Sequence, residues 1–178
     1  MSFITETYPG VSATTSEVTN DFVLNHSMLR IKDPKVSLDF YTRIMGMHVL
    51  RCLDFSEMNF SLYFLAKPDK NNPPPEDIGE RTQWVFNQKS ILELTHNWGT
   101  EDQEDFKYHN GNALPQGFGH ICFAVHDLDK AVEWFDTNKV EFVKRPEQGK
   151  MKDVAFIKDP DGYWIEIVQP SRLSNLGR

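Results

Sequence analysis

The sequence predicts an α+β fold made of two βαβββ modules, and three features lead there. First, H-S-M-L-R-I-K-D from His26 and H-I-C-F-A-V-H-D from His120 each carry an Asp seven residues after the His, Asp33 and Asp127, and each Asp opens a segment of helical periodicity. Second, downstream of each His a Glu interrupts an aliphatic strand pattern, Glu93 in I-L-E-L-T and Glu166 in W-I-E-I-V. Third, stretches rich in Pro, Gly and Asn at 67–80 and 99–119 read as loops and leave the ordered segments in the order βαβββ, twice.

Residues 1–22 are polar, rich in Ser and Thr and without Lys or Arg, so they lack the basic region of a signal peptide and the arginines of a transit peptide. They are expected to form an N-terminal arm that docks on a partner surface. A strand over 23–31 leads into a helix over 34–45. Asp33 is its N-cap, Pro34 suits the first helical position, Leu38, Tyr41 and Met45 share a face, and Gly46 closes it. Strands follow near 47–54, 57–66 and 82–96. The second copy predicts a strand at 119–126 and a helix at 128–138 capped by Asp127, with Ala131, Val132, Trp134 and Phe135 apolar. Strands near 140–145, 151–158 and 163–169 complete it. The connector sets the module boundary near residue 110, giving 23–110 and 111–178 within one compact domain.

At 178 residues, with 39% hydrophobic content, the chain is long enough to bury a core without staples. A formal charge of -7 and a pI near 5.3, with the cations scattered, argue against nucleic acid or an anionic membrane as partner. No apolar run approaches the roughly 20 residues that span a bilayer. Two cysteines, Cys52 and Cys122, are too few for a disulfide framework and point to a reducing cytoplasm.

Alternation along a strand puts His26, Met28 and Arg30 on one face, and Glu93, Thr95 and Asn97 on one face of theirs. His120, Cys122 and Ala124 align in the same way, as do Trp164, Glu166 and Val168. A lone His in a strand is more often structural than a ligand, and a lone Glu among aliphatics is usually a solvent-facing residue. Recurrence of all four at matching places in two copies favours a metal site. Two imidazoles and two carboxylates also leave coordination positions open, unlike a closed structural zinc site. His96, His109 and His126 fall outside this pattern and are expected to be structural or surface residues.

On these residues, and on M-L-R-I-K-D-P-K-V-S-L-D-F-Y-T-R-I-M-G-M, L-E-L-T-H-N-W-G-T-E, Y-H-N-G-N and A-F-I-K-D-P-D-G-Y-W-I-E-I, the chain resembles the glyoxalase I family of the vicinal-oxygen-chelate superfamily. The likeness runs from about residue 22 to 170. It implies two βαβββ modules of the vicinal-oxygen-chelate fold forming a curved mixed sheet, a homodimer with active sites shared between subunits, and a lyase that isomerises the methylglyoxal–glutathione hemithioacetal to S-D-lactoylglutathione through a metal-stabilised enediolate. It implies His26, Glu93, His120 and Glu166 as ligands of Zn2+, with Ni2+ or Co2+ as alternatives. His26 stands where the long, eukaryotic-type members carry Gln.

For glutathione, the resemblance implies contacts from Arg30, Asn97, Lys144 and Lys150. Gln116 stands where an Arg is expected, leaving one carboxylate contact missing or supplied by Arg145. Phe55, Met58, Leu62, Phe64, Met151, Val154 and Phe156 correspond to the apolar pocket for the aldehyde substituent. Glu166 is the favoured catalytic base, with Glu93 serving the opposite diastereomer. The alternatives are another vicinal-oxygen-chelate metalloenzyme, such as an Fe(II) dioxygenase, or a metal-free small-molecule-binding module.

Overall fold

Each copy of the repeat folds into its own four-stranded mixed sheet, and the two sheets have the same topology. The computed structural model describes residues 9–12 and 14–174. In the first module the strands are β1 (His26–Ile31), β2 (His48–Phe55), β3 (Phe60–Ala66) and β4 (Ile91–Asn97), in the order β1-β4-β3-β2. In the second they are β5 (His120–Ala124), β6 (Phe142–Lys144), β7 (Val154–Lys158) and β8 (Trp164–Val168), in the order β5-β8-β7-β6. The first strand of each module runs parallel to the last, and the other pairings are antiparallel. One edge of β1 and one edge of β5 therefore carry no strand partner among the described residues.

The crossover helices start as their sequences dictate. Helix α1 (Pro34–Asp39) begins at Asp33, whose carboxylate accepts from Lys35 N–H, and widens into a π-helical turn over Phe40–Ile44. A second helix, α2 (Ile78–Phe86), lies between β3 and β4, and α3 (Leu128–Thr137) begins at Asp127, which accepts from Lys130 N–H. Helix α2 corrects the expectation of a strand across 82–96, since only Ile91–Asn97 is extended. Its start is an N-cap in D-I-G-E: Asp77 accepts from Glu80 N–H and an acid sits in the first turn.

Alternate residues of both sheets meet in one core. Leu29, Ile31, Leu92 and Leu94 of the first sheet pack with Ile157, Ile165 and Ile167 of the second, around Tyr41, Leu128 and Phe135 from the helices. Fully burying a Leu or Ile contributes about 1.5–3 kcal/mol, so the shared core holds the modules back to back. A polar seam adds to it. Tyr41 Oη donates to Asp159 Oδ2 at 2.7 Å, Ser37 Oγ donates to Asp161 Oδ2 at 2.9 Å, and Lys32 N–H donates to Asp161 Oδ1 at 2.7 Å. The connector folds back on itself at Gly111, where a Cβ would lie 1.6 Å from the Phe118 carbonyl oxygen. Among the described residues no helix is long and apolar enough to cross a membrane. Of the arm expected over 1–22, residues 1–8 and 13 lie outside the described residues; a short helical turn, Glu17–Thr19, is exposed.

Candidate metal centre

Strand register brings each His beside the Glu of its own module. In the parallel pair β1–β4, Met28 lies opposite Glu93, two residues beyond His26; in β5–β8, Cys122 lies opposite Glu166, two residues beyond His120. The side chains meet on the face turned away from the core. His26 Nε2 lies 3.2 Å from Glu93 Oε2, and His120 Nε2 lies 3.5 Å from Glu166 Oε2. Two donors bound at zinc-like lengths to one ion are about 2.8–3.5 Å apart between right-angle and tetrahedral geometry, so each couple is spaced as two ligands of a single ion would be. Imidazole nitrogen and carboxylate oxygen suit zinc, nickel or cobalt.

Each carboxylate has a neighbouring donor. Thr95 Oγ1 donates to Glu93 Oε1 at 3.0 Å. The Cys122 thiol sits against Glu166, and burial together with that carboxylate pushes its pKa up to about 12. An aromatic ring flanks each couple at the matching register. Phe64, opposite Glu93, sets its edge against His26 at 6.0 Å, and Phe156, opposite Glu166, against His120 at 5.2 Å. The Glu93 side chain is 11% exposed and that of Glu166 20%, so both are largely withdrawn from water while still open to a ligand.

The two couples do not assemble into one cluster within the chain. Among the described residues no three of His, Cys, Asp and Glu are grouped to hold an ion. His26 and His120 do border a common groove of about 510 Å³ between the free edges of β1 and β5. A larger cavity, about 630 Å³, lies elsewhere, between the start of α1, the connector and the β7–β8 turn, and none of the four candidate ligands lines it.

The expected substrate contacts divide between the modules in the same way. Arg30 is exposed on the His26 face and lies opposite Thr95, which lies opposite Leu62. Asn97 Nδ2 donates to Tyr108 Oη at 3.0 Å, and Phe55 stacks on Phe60 at 4.7 Å. Met58 belongs to the β2–β3 turn rather than to β3, so strand alternation does not align it with Leu62 and Phe64; a tight turn there needs Asn59 at positive φ, 55°. In the second module, Lys150 and Met151 sit exposed in the loop between β6 and β7. Lys144 is less free than its sequence suggests. Its ammonium donates to the Val154 carbonyl at 2.5 Å, and burial, followed by Lys152, lowers its pKa. Val154 itself is fully buried in the sheet.

Arg145 is also committed, donating to Asp136 and stacking over the Phe142 ring at 4.2 Å. Gln116 is exposed in the connector. Among the remaining histidines, His96 is buried with its Nε2 2.6 Å from Glu101, and His109 Nδ1 accepts from Gly111 N–H. Sequence reasoning assigned no role to Thr95, Asn25 or Phe86. The hydroxyl two residues beyond Glu93 on the same face is a usable signal for the first; the other two depend on α2, whose sequence straddles the expected loop at 67–80 and the expected strand at 82–96.

A family model described as the Glyoxalase/Bleomycin resistance protein/Dioxygenase superfamily matches residues 23–167. The chain is 55% identical over 178 residues to the lactoylglutathione lyase of Pseudomonas aeruginosa PAO1, covering 100% of this chain and 99% of that protein. It is 52% identical to the lactoylglutathione lyase of Pseudomonas putida, covering 94% of this chain and 96% of that one. Among solved structures, the trypanothione-dependent glyoxalase I of Leishmania major is similar with a TM-score of 0.61 at 28% identity, over 84% of this chain and 88% of that chain.

Proposed function

The chain belongs to the Glyoxalase/Bleomycin resistance protein/Dioxygenase superfamily, and on that footing we infer that it is an enzyme with lactoylglutathione lyase activity, isomerising the hemithioacetal of glutathione and methylglyoxal to S-D-lactoylglutathione. End-to-end identity of 55% with one lyase and near end-to-end identity of 52% with another favours this activity over the dioxygenase and metal-free binding alternatives. The observation that carries the chemistry is the pair of matched His–Glu couples, spaced as ligand pairs and offered on open sheet faces.

In this reading His26, Glu93, His120 and Glu166 hold a divalent cation, for which we take zinc, with nickel or cobalt as substitutes of similar ligand preference. When bound, such a cation polarises the substrate oxygens and so acidifies the neighbouring C–H. Glu166 then takes the proton from the carbon that bears the hydroxyl and the glutathionyl sulfur and returns it to the adjacent carbon. The atoms balance without any oxidant, because the reaction only relocates hydrogen. Glu93 does the same for the opposite diastereomer. The partly desolvated setting of both carboxylates favours proton transfer over hydration. Arg30, Asn97 and Lys150 hold the polar ends of glutathione, and Phe55, Leu62, Met151 and Phe156 flank the aldehyde substituent, while Phe64, fully buried, backs the His26 ring instead.

The site is completed by a second copy of the chain, so that His26 and Glu93 of one subunit face His120 and Glu166 of the other. Two separate couples, and the unpaired edges of β1 and β5 beside them among the described residues, support this homodimer. Rearrangement within one chain would have to break the common core. Both cysteines are free thiols, in keeping with a reducing cytoplasm.

Following thioester absorbance with metal-replete protein tests the activity: product should form from methylglyoxal only when glutathione is present. No glutathione-dependent product would sink the assignment. Glu166→Gln, which cannot accept the proton, should lose on the order of 10² to 10⁴ in turnover at matched metal occupancy.

A further inference from the structure

His26 differs from His120 in how its ring is held. His26 Nδ1 lies 2.7 Å from Asn25 Oδ1. The orientation of that amide is not ambiguous, because its Nδ2 is 2.9 Å from the Val85 carbonyl and 2.9 Å from the Gln88 carbonyl, and carbonyl oxygens only accept. With both amide hydrogens committed to the end of α2 and the turn after it, Oδ1 must face the imidazole. An acceptor at Nδ1 requires the proton to be there. The lone pair of the neutral ring is then on Nε2, the atom 3.2 Å from Glu93.

Phe86 of α2 adds a second constraint, its ring lying 6.2 Å from that of His26 at an interplanar angle of 75°. The backbone of Asn25 is fastened too, since its carbonyl accepts from Ile91 N–H at the start of β4. Laying His26 on His120 puts Asn25 on Gly119, which has no side chain with which to do the same. The amide is therefore particular to the first module and to the inserted helix.

We propose that Asn25 is a positioning residue for the metal site: anchored on α2, its amide oxygen sets the tautomer and ring angle of His26 so that Nε2 is presented as a ligand. The proposal rests on the reading of His26 as a ligand. Hydrogen bonds of this kind to a ligating imidazole are typically worth 10- to 100-fold in metal affinity.

Zinc affinity measured by chelator competition tests it without recourse to activity. Asn25→Ala should weaken Zn2+ binding about 10- to 100-fold. In a His26→Gln background, where the first ligand is an amide with no tautomer to set, Asn25→Ala should have little further effect. An equal loss in both backgrounds would make Asn25 merely structural and overturn the proposal. If His26→Ala itself leaves zinc affinity unchanged, the ligand reading fails first, and is told apart from failure of the proposal. A measurement on the unaltered, metal-free protein does not depend on how the variants fold: nitrogen-15 spectra of histidine-labelled protein at pH 8.5 should find the His26 proton on Nδ1. A proton on Nε2 would overturn the proposal.

Discussion

A carboxylate buried beside a hydroxyl shows how much one side chain decides. Asp159 is 5% exposed; Oδ2 accepts from Tyr41 Oη, and Oδ1 accepts from the N–H groups of Asp161 and Tyr163. Burial raises its pKa from 3.8 to about 7 against the pull of those donors, and Asp161 adds repulsion. A carboxyl raised in the folded state contributes stability that is fully present below 3.8 and is lost as pH rises through about 7. Asp159→Asn keeps the shape and removes the ionisation. Its melting temperature relative to the wild type should therefore shift in its favour between pH 5.5 and pH 8.5, read from paired thermal scans. A constant difference, or a shift the other way, would mean that Asp159 does not titrate as its surroundings require. The same turn, D-P-D-G-Y-W, leads into β8 and so into Glu166. Sequence pattern made the motif conspicuous but left its acids without partners, because Tyr41 and Ser37 lie more than a hundred residues away in the chain.

Helix α2 is the element that sequence periodicity misread. Residues 82–96 look strand-like because W-V-F at 84–86 and I-L-E-L-T at 91–95 are both short apolar runs, separated only by N-Q-K-S, and runs of that length do not distinguish strand from helix. What decides is the start. Asp77 accepts from Glu80 N–H, and the Arg81 amide donates to the Asp77 carbonyl, so the helix begins before the apolar residues do. Packing then settles it, with Val85 fully buried against Leu50, Phe64 and Ile91. Asp77→Ala should cost about 1 kcal/mol, the usual loss of an N-cap. Amides of 78–86 should exchange faster while those of β7 and β8 are unchanged, which hydrogen-exchange mass spectrometry resolves. Equal acceleration throughout would mean that α2 unfolds only with the whole. The elements that were legible, α1 and α3, announce themselves through Asp33 and Asp127, each followed at once by an amphipathic turn.

Across the whole molecule the repeat is close but its seam is one-sided. Superposing the copies in register puts Tyr41 on Phe135 and Ser37 on Ala131, so each pair differs by one oxygen. Those two oxygens are the ones that bond Asp159 and Asp161 in the opposite module. The seam and the common core hold the sheets back to back, with the His–Glu couples facing outward. On the proposed reading of the couples as metal ligands, such a chain carries two halves of a site, and the proposed dimer rests on that reading. Mixing an inactive Glu93→Gln, His26→Ala chain with an inactive Glu166→Gln, His120→Ala chain, after reversible dissociation, should regain one working site per heterodimer. Verified heterodimers without regained activity would contradict sharing between subunits.

The sequence by itself determined the repeat, the two crossover helices, the strand faces and the four candidate ligands, since periodicity, caps and spacing are local properties written along the chain. Only the tertiary structure decided that the two His–Glu couples stand apart, that α2 is a helix gripping His26 through Asn25 and Phe86, and that Lys144 and Arg145 are already engaged. Those outcomes depend on which surfaces meet, on the balance between burial and pairing for each polar group, and on contacts between residues far apart in the chain, none of which leaves a periodic trace.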